Sequence, residues 1–325
     1  MHSAWCAALG LIAMSLPVAA NDTLATLGAG GLVPAKSTDI AMESEDLEVS
    51  IHRISVKYLF RNTGGKDEDV VVAFPLPAMN GGDVANIPID IPSHDPLNFI
   101  NFEVWANGRR VEPKVELRAF FEDKEITTRL RELGVPLSVL DPNVTAAVKK
   151  LSTGDRSRLQ KDNWVDCSLT PDGKCWPYWQ SRVQYYWTQR FPAGETVEIR
   201  HTYRPVVGGA HIYPSDSGAS RVTEYCGGAN DVGRIAKQKE LRHATAGDDT
   251  TLFAERRIEY ILTTGANWKG PIRNFHLSIV SDEPADIVMT CMPGLKQTAP
   301  TRYEVGVPDF RPVKELELLI LQATK

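Results

Sequence analysis

The chain has 325 residues, of which 42% are hydrophobic and 24% are charged. This length and composition are typical of a globular protein and are sufficient for two domains with a substantial core. The formal net charge is -5 and the pI is about 5.9, whereas proteins that bind nucleic acids usually carry a basic face. We therefore expect no nucleic-acid partner.

The first 20 residues predict a secretory signal peptide. They contain no Asp, Glu, Lys or Arg, and the apolar run at residues 5–16 is followed by Pro17. Small residues then provide a signal peptidase site, so we expect cleavage after Ala20 and a mature chain that starts at Asn21. The alternative is a buried N-terminal helix. The run is too short for a permanent anchor and no later segment is apolar enough, so we expect a soluble periplasmic protein without a membrane span.

Four cysteines remain after the signal peptide, and an even number in an exported chain indicates two disulfides. Cys167 and Cys175 flank the turn sequence TPDG at residues 170–173, which brings the two ends together. Of the three possible pairings we favour Cys167–Cys175 and Cys226–Cys291. The alternative, a catalytic thiol or a thiolate metal site, lacks C-x-x-C spacing. We expect no cofactor and no metal.

The first elements along the chain are strands. Apolar and polar side chains alternate over residues 54–60, which predicts a strand with one buried face. Residues 70–74 form a second, apolar strand. Asn107-Gly108 is a standard sequence for a tight hairpin turn between two further strands, the second of them at residues 111–117.

The hydrophobic period then changes to that of helices. Asp123 is a capping candidate for a helix that ends at Gly134, Asp141-Pro142 begins a second helix, and a third short helix follows. Because these helices lie between strand regions, we predict a helical insertion at about residues 123–163 that packs against the β core.

Strand patterns return after the insertion. Residues 183–191 and 196–203 predict a hairpin, and a long loop follows at residues 206–249. Four further strand candidates lie beyond it, at residues 257–263, 272–280, 286–292 and 315–321. The predicted fold class is mainly β, with two β-sandwich-like halves and a helical insertion in the first half. We expect an N-terminal domain at residues 21–207 and a C-terminal domain at residues 208–325 that begins with the long loop.

Several short motifs together resemble one protein family. They are GGL at residues 30–32, AFPLP at 73–77, FPAG at 191–194, HTYRP at 201–205 and NWKGPI at 267–272. Over almost the whole mature chain they resemble an exported bacterial family known as domain of unknown function 4424. The resemblance implies a periplasmic β-rich protein of Gram-negative bacteria. It implies no catalytic residues that could be assigned to this chain.

Recurrent catalytic motifs are absent from the sequence, including G-x-S-x-G, S-x-x-K, H-E-x-x-H and dinucleotide-binding fingerprints. We therefore assign no catalytic residue, although a triad assembled from distant residues stays possible on this basis. His201 shares a strand face with apolar residues, so we expect a core histidine.

Two groups of side chains have the chemistry of metal ligands. His211 and His243 lie in the predicted loop with Asp216 and Glu224, and such groups suit zinc, but no two have close ligand spacing. The carboxylates within residues 39–48 could bind calcium. We favour the interpretation that they are the polar side of an edge strand, where charge prevents unwanted pairing.

Aromatic residues are dense between residues 164 and 191. The candidates for ligand binding are Trp176, Tyr178 and Trp179, because Trp and Tyr combine flat apolar area with a hydrogen-bonding tip. We expect Trp176 and Trp179 to be the exposed pair and Trp187 to be in the core. The favoured alternative is that the whole cluster covers the core where the helical insertion docks.

Three functions remain. The preferred one is a non-enzymatic periplasmic module that binds an envelope protein or a glycan. The second is an extracytoplasmic hydrolase with an unrecognised site, which predicts a cleft where His and carboxylates converge. The third is a structural or assembly partner of an envelope complex, which predicts an exposed apolar patch without a cleft.

Overall fold

The computed structural model describes residues 23–28, 31–86, 88–93, 95–168, 173–212, 219–246 and 252–323. The predicted signal peptide with its cleavage site after Ala20, and residues 170–172 of the predicted turn, lie outside the described residues. Within the described ranges, no helix has the length and apolar character that a bilayer crossing requires.

The strands follow one another in chain order as β1 (Thr23–Gly28), β2 (Gly31–Ala35), β3 (Ile40–Val49), β4 (Ile54–Asn62), β5 (Glu68–Pro75), β6 (Met79–Asn80), β7 (Ile89–Asp90), β8 (Glu103–Ala106), β9 (Arg109–Val111), β10 (Lys114–Phe121), β11 (Lys124–Glu125), β12 (Val165–Asp166), β13 (Trp176–Pro177), β14 (Gln180–Phe191), β15 (Thr196–Tyr203), β16 (Val207–Ile212), β17 (Phe253–Tyr260), β18 (Ile272–Val280), β19 (Ile287–Thr290), β20 (Lys296–Ala299), β21 (Arg302–Phe310) and β22 (Leu316–Ala323). The helices are α1 (Gly81–Asn86), α2 (Thr127–Glu132), α3 (Val144–Lys150), α4 (Thr153–Lys161), α5 (Ala219–Glu224) and α6 (Ala229–Ala246), and a 3-10 helix covers Thr263–Asn267.

The described strands form three large sheets and a two-stranded ribbon, so the protein is mainly β, as predicted. The seven-stranded sheet has the order β11-β10-β14-β5-β1-β2, with β6 beside β14. The eight-stranded sheet has the order β20-β21-β18-β3-β4-β15-β8-β9, and the five-stranded sheet has the order β19-β22-β17-β16-β7. Strands β12 and β13 form the ribbon.

The alternation predicted for residues 54–60 is present in β4. Its apolar side chains at every second position are fully buried, namely Ile54, Val56, Tyr58 and Phe60. They belong to a core that is shared by all three large sheets. Full burial of one such side chain contributes about 2 kcal/mol to folding, so this pattern sets which face of the strand points inward.

His201 on β15 lies at the centre of this shared core. Its ring centroid is 5.0 Å from those of Phe74 and Phe102 and 5.5 Å from that of Trp187. Burial lowers the pKa of His201 to about 3, because the charged imidazolium is disfavoured among apolar rings. The expectations of a core histidine and of a core Trp187 both agree with the structure.

The predicted hairpin turn at Asn107-Gly108 joins β8 and β9, and both residues have positive φ, 48° and 76°. The second strand of this hairpin, predicted at residues 111–117, is β9 and ends at Val111. Pro113 separates β9 from β10, and β10 joins the seven-stranded sheet instead. A proline lacks the amide hydrogen that a ladder needs, so it ends pairing at this point.

The predicted hairpin over residues 183–203 is wrong. Strand β14 pairs with β10 and β5, whereas β15 pairs with β4 and β8. Pro192-Ala193-Gly194 therefore carries the chain from one large sheet to another. Both strands are predicted correctly as strands, but their partners come from distant sequence.

The helices α2, α3 and α4 lie within residues 123–163. Helix α2 begins at Thr127, and Asp123 does not cap it, because residues 124–125 pair with residues 120–121 as a short hairpin. Gly134 follows the helix with φ of 66°, as a helix stop requires. Apolar residues of these helices form a second core that includes Trp179.

The region predicted as a long loop at residues 206–249 contains β16, α5 and α6. Gly208 and Gly209 lie within β16 and weaken the apolar pattern by which a strand is recognised.

Strand β18 pairs in parallel with β3. The eight-stranded sheet thus combines strands from before and after residue 207, so the two halves predicted from the sequence share a sheet.

Candidate functional site

A cavity of about 370 Å³ lies where the five-stranded sheet meets the ends of β5 and β15. Strands β16, β17 and β22 form one wall, and α5 with the residue after it forms a second. The rest of the described lining includes residues 76–80, Phe99, Ile100 and Tyr203. Sites for small molecules occupy about 300–1,000 Å³, and this cavity falls within that range.

The lining also includes buried apolar and aromatic side chains. Phe99, Ile100 and Tyr203 are buried, and Tyr225 from the end of α5 adds a second buried phenol ring. Burial raises the pKa of both tyrosines. Their hydroxyls therefore stay protonated at neutral pH and can donate hydrogen bonds.

Two glycines of β16, Gly208 and Gly209, line the cavity. A Cβ atom at Gly209 would lie 3.3 Å from the Glu255 carbonyl oxygen, so a larger side chain is crowded there. At Gly208 the nearest atom to such a Cβ is the Arg257 Cβ at 3.8 Å, which is ordinary contact distance. Gly208 pairs with Arg257 across the strands, so a side chain at this position would enter the cavity on the same face.

Two carboxylates oppose each other on the sheet side of the cavity. Glu259 on β17 pairs directly with Glu317 on β22, and like charges at such positions destabilise a sheet. Partial desolvation raises the pKa of Glu259, and the nearby charges of Glu317 and Glu315 raise it further. Glu259 thus holds a proton more readily than an isolated glutamate does.

Arg257, which lines the cavity, forms an ion pair with the buried Glu255. Glu255 is 2% exposed and accepts hydrogen bonds from both Arg257 and Arg221, with Arg221 Nε at 2.9 Å from Glu255 Oε1. Arg221 also lies 3.1 Å from Glu224, another lining residue. This network neutralises Glu255 and anchors α5 to β17. In the part of the chain that the structure describes, Glu259 and Glu317 have no ion pair of their own.

A disulfide fixes the α5 wall at its end. Cys226 follows Tyr225 and is bonded to Cys291, just beyond β19. The other disulfide joins Cys167 and Cys175 beside the helical insertion. These are the two pairings favoured from the sequence, and the longer one holds a wall of the cavity in place.

The three aromatic residues predicted as ligand-binding candidates do not line this cavity. The expectation that Trp179 is exposed is wrong, because its ring is fully buried and its Nε1 donates to the Leu137 carbonyl oxygen at 2.8 Å. Trp176 is half-buried with Lys174 Nζ 3.8 Å from its ring centroid. Tyr178 is half-buried, and its amide donates to the Trp164 carbonyl oxygen. Trp179 packs with apolar residues of α2, α3 and α4 in one core.

The structure describes only some of the metal-ligand candidates. His211 is exposed on β16 and is not part of the cavity wall, Glu224 is, and the side chain of His243 and all of Asp216 lie outside the described residues. Two acidic residues of β3 have basic partners. Asp46 Oδ1 lies 2.8 Å from His276 Nδ1, and Glu48 Oε2 lies 3.1 Å from Arg302 Nη1. The described residues contain no group of three or more His, Cys, Asp or Glu that could hold a metal ion.

Sequence reasoning identifies the strands that carry Glu259 and Glu317 but not their relation to each other. The local signal is weak, because Glu317 is the single charged residue of the apolar strand β22, whereas Glu259 is one of four charged residues in β17. Their opposition depends on the register of β17 against β22, which follows from the tertiary structure.

The family described as Domain of unknown function (DUF4424) matches residues 20–319. This chain belongs to that family. The match covers nearly all of the DUF4424 protein, including every described residue that lines the cavity. No curated protein matches the chain in sequence.

Two solved structures have partial similarity to this DUF4424 protein. One is a Legionella pneumophila protein provisionally described as nutrient-binding, with 14% identity and a TM-score of 0.45, over 93% of this chain and 70% of that chain. The other is a two-domain M1 zinc metallopeptidase with bound L-tryptophan, with 9% identity and a TM-score of 0.26, over 89% of this chain and 44% of that chain. At these scores we draw no functional conclusion from either.

Proposed function

We propose that this DUF4424 protein is an exported, non-enzymatic binding protein whose ligand occupies the cavity bounded by β16, β17 and β22. The observation that carries the proposal is the cavity itself, which combines about 370 Å³ of space with a buried aromatic wall and a few charged groups. Such a concave, mostly apolar site with sparse polar groups is typical of small-molecule binding.

Export is part of the proposal. Disulfides persist in oxidising compartments, and the described residues contain two. The first 20 residues have the pattern of a signal peptide, which supports a periplasmic location with cleavage after Ala20. An envelope protein or a glycan, predicted as a partner from the aromatic residues, stays a prediction and would use a surface other than this cavity.

An extracytoplasmic hydrolase is the second candidate, and one observation favours it. Glu259 has a raised pKa and lies opposite Glu317, and paired carboxylates with different environments can act as acid and base. The described lining contains no Ser, Cys or His, so a nucleophile with a histidine base is not assembled there. We therefore prefer binding to catalysis.

A cavity-filling variant tests the proposal. Gly208→Ile places a β-branched side chain, which strands favour, into the cavity on the Arg257 face. The matched control is Gly306→Ile on β21, a strand glycine with open space around it and outside the cavity wall. Binding is measured by saturation-transfer NMR with a library of aromatic amines, alcohols and carboxylic acids.

We expect fragments that bind wild type and Gly306→Ile equally but lose binding to Gly208→Ile. Absence of any bound fragment, or hits that persist in Gly208→Ile, would contradict a ligand site in this cavity. Turnover of arylglycoside or ester substrates that disappears in Glu259→Gln would instead establish the hydrolase.

A further inference from the structure

We infer that the ligand of this cavity is a small organic amine with an apolar body, whose cationic group lies between Glu259 and Glu317. The inference rests on the proposed function, because it specifies what the same cavity binds. It is carried by the charge balance of the lining, by the register of two strands, and by the apolar and aromatic part of the lining.

The charge balance of the lining is strongly negative. Four carboxylates line the cavity against a single arginine, namely Asp83, Glu224, Glu259, Glu317 and Arg257. Both Arg257 and Glu224 belong to the network around buried Glu255. Among the described residues no ion pair neutralises the remaining three acids, so the cavity is short of positive charge. An anionic ligand would meet repulsion there.

The register of the sheet places two of these acids side by side. Glu259 and Glu317 are a directly opposed cross-strand pair, and the Cβ atoms of such pairs lie about 5 Å apart. One ammonium group can therefore donate hydrogen bonds to both carboxylates and offset their mutual repulsion. A basic side chain at either position would stabilise the sheet more than a second glutamate does. The pair of carboxylates is therefore suited to a ligand that carries the positive charge.

The apolar and aromatic part of the lining favours an organic over an inorganic cation. Phe99, Ile100, Tyr203 and Tyr225 add buried apolar and aromatic surface to the cavity, which a hydrated metal ion would leave unused. Aromatic faces also attract organic cations. No cluster of metal-ligating side chains occurs in the described part of the chain. An apolar body against these side chains and an amine against the acids would use both parts of the lining.

Three probes of nearly equal shape test the inference, namely tryptamine as a cation, tryptophol as its neutral analogue and indole-3-acetate as an anion. Their affinities are measured by calorimetry at neutral pH for wild type, Glu259→Gln and Glu317→Gln. Glu112→Gln is the control, because Glu112 is an exposed carboxylate, as Glu259 and Glu317 are, but lies beyond the edge strand β9 and outside the cavity. Thermal unfolding of each variant verifies that it is folded, and removal of one like charge is expected to leave or raise its midpoint.

We expect tryptamine to bind at least about ten-fold more tightly than tryptophol, and indole-3-acetate to bind least tightly. Each cavity variant should weaken tryptamine about five- to ten-fold and change tryptophol less than about two-fold, whereas Glu112→Gln should change neither. Added salt should weaken tryptamine selectively.

The outcomes separate this inference from the proposed function. If tryptophol or indole-3-acetate binds as tightly as tryptamine, and Gly208→Ile abolishes that binding, the cavity binds ligands but the amine inference is wrong. If tryptamine binds unchanged to both glutamine variants, the assignment of Glu259 and Glu317 is wrong. If no probe binds, or Gly208→Ile weakens none of them, the inference falls together with the proposed function.

Discussion

The buried imidazole of His201 makes the stability of this protein depend on pH. Its pKa is lowered from the ordinary 6.5 to about 3 by burial among aromatic rings. Between these two values the unfolded chain binds a proton that the native protein rejects, so the free energy of unfolding falls as the pH falls. This stability is fully present above pH 6.5 and is lost progressively down to about pH 3.

The magnitude follows from the two pKa values. At pH 5 the histidine is almost fully protonated in the unfolded chain and almost fully neutral in the native one. Linkage then gives a loss of about 2 kcal/mol between pH 8 and pH 5 and about 3 kcal/mol by pH 4. The loss at pH 5 is set by the unfolded-state pKa, because any native pKa of about 4 or below gives nearly the same number.

The assay compares wild type with His201→Gln, which has a neutral side chain of similar size. Denaturant unfolding at pH 8 and pH 5 is followed by tryptophan fluorescence and circular dichroism, and coincident transitions verify all-or-none unfolding. The variant is less stable at both pH values, but its loss from pH 8 to pH 5 should be about 2 kcal/mol smaller than that of wild type. Other titratable groups, such as Glu125 with its lowered pKa, change the free energy of unfolding equally in both proteins. Their contributions therefore cancel when the two losses are compared.

The control is His276→Gln, which removes an exposed histidine from the surface of β18. It should keep the pH dependence of wild type, because an exposed ion pair contributes little. An equal loss of stability in wild type and His201→Gln, within about 0.5 kcal/mol, would refute the argument that a desolvated histidine controls this range.

Two further predictions concern the disulfides and the N-terminus. Cys226→Ser opens a loop with sequence separation 65 and should cost about 4 kcal/mol, against about 2.5 kcal/mol for Cys175→Ser with separation 8. It should also speed hydrogen exchange in α5 and α6, and a larger cost for Cys175→Ser in denaturant unfolding would contradict this. Sequencing of the protein released from the periplasm should find Asn21 first, because small residues precede it. Recovery of the protein in the cytosol with Met1 intact would exclude export.

Local patterns in the sequence determined much of the architecture. Alternation over residues 54–60 set the buried face of β4, and Asn107-Gly108 set a tight turn with positive φ at both residues. The spacing of Cys167 and Cys175 left one plausible partner for each remaining cysteine, and the structure has the same pairing. These features were accessible because each depends on residues that are close in the chain or on a simple count.

The partners of the strands were decided only by the tertiary structure. The parallel pairing of β18 with β3, the separation of β14 from β15, and the burial of Trp179 under the insertion all join residues that are distant in sequence. The cavity has the same origin, because Glu259 and Glu317 meet through the register of β17 and β22. A sequence pattern gives the period of a strand but not its neighbour, since the neighbour is chosen by the burial of the whole core.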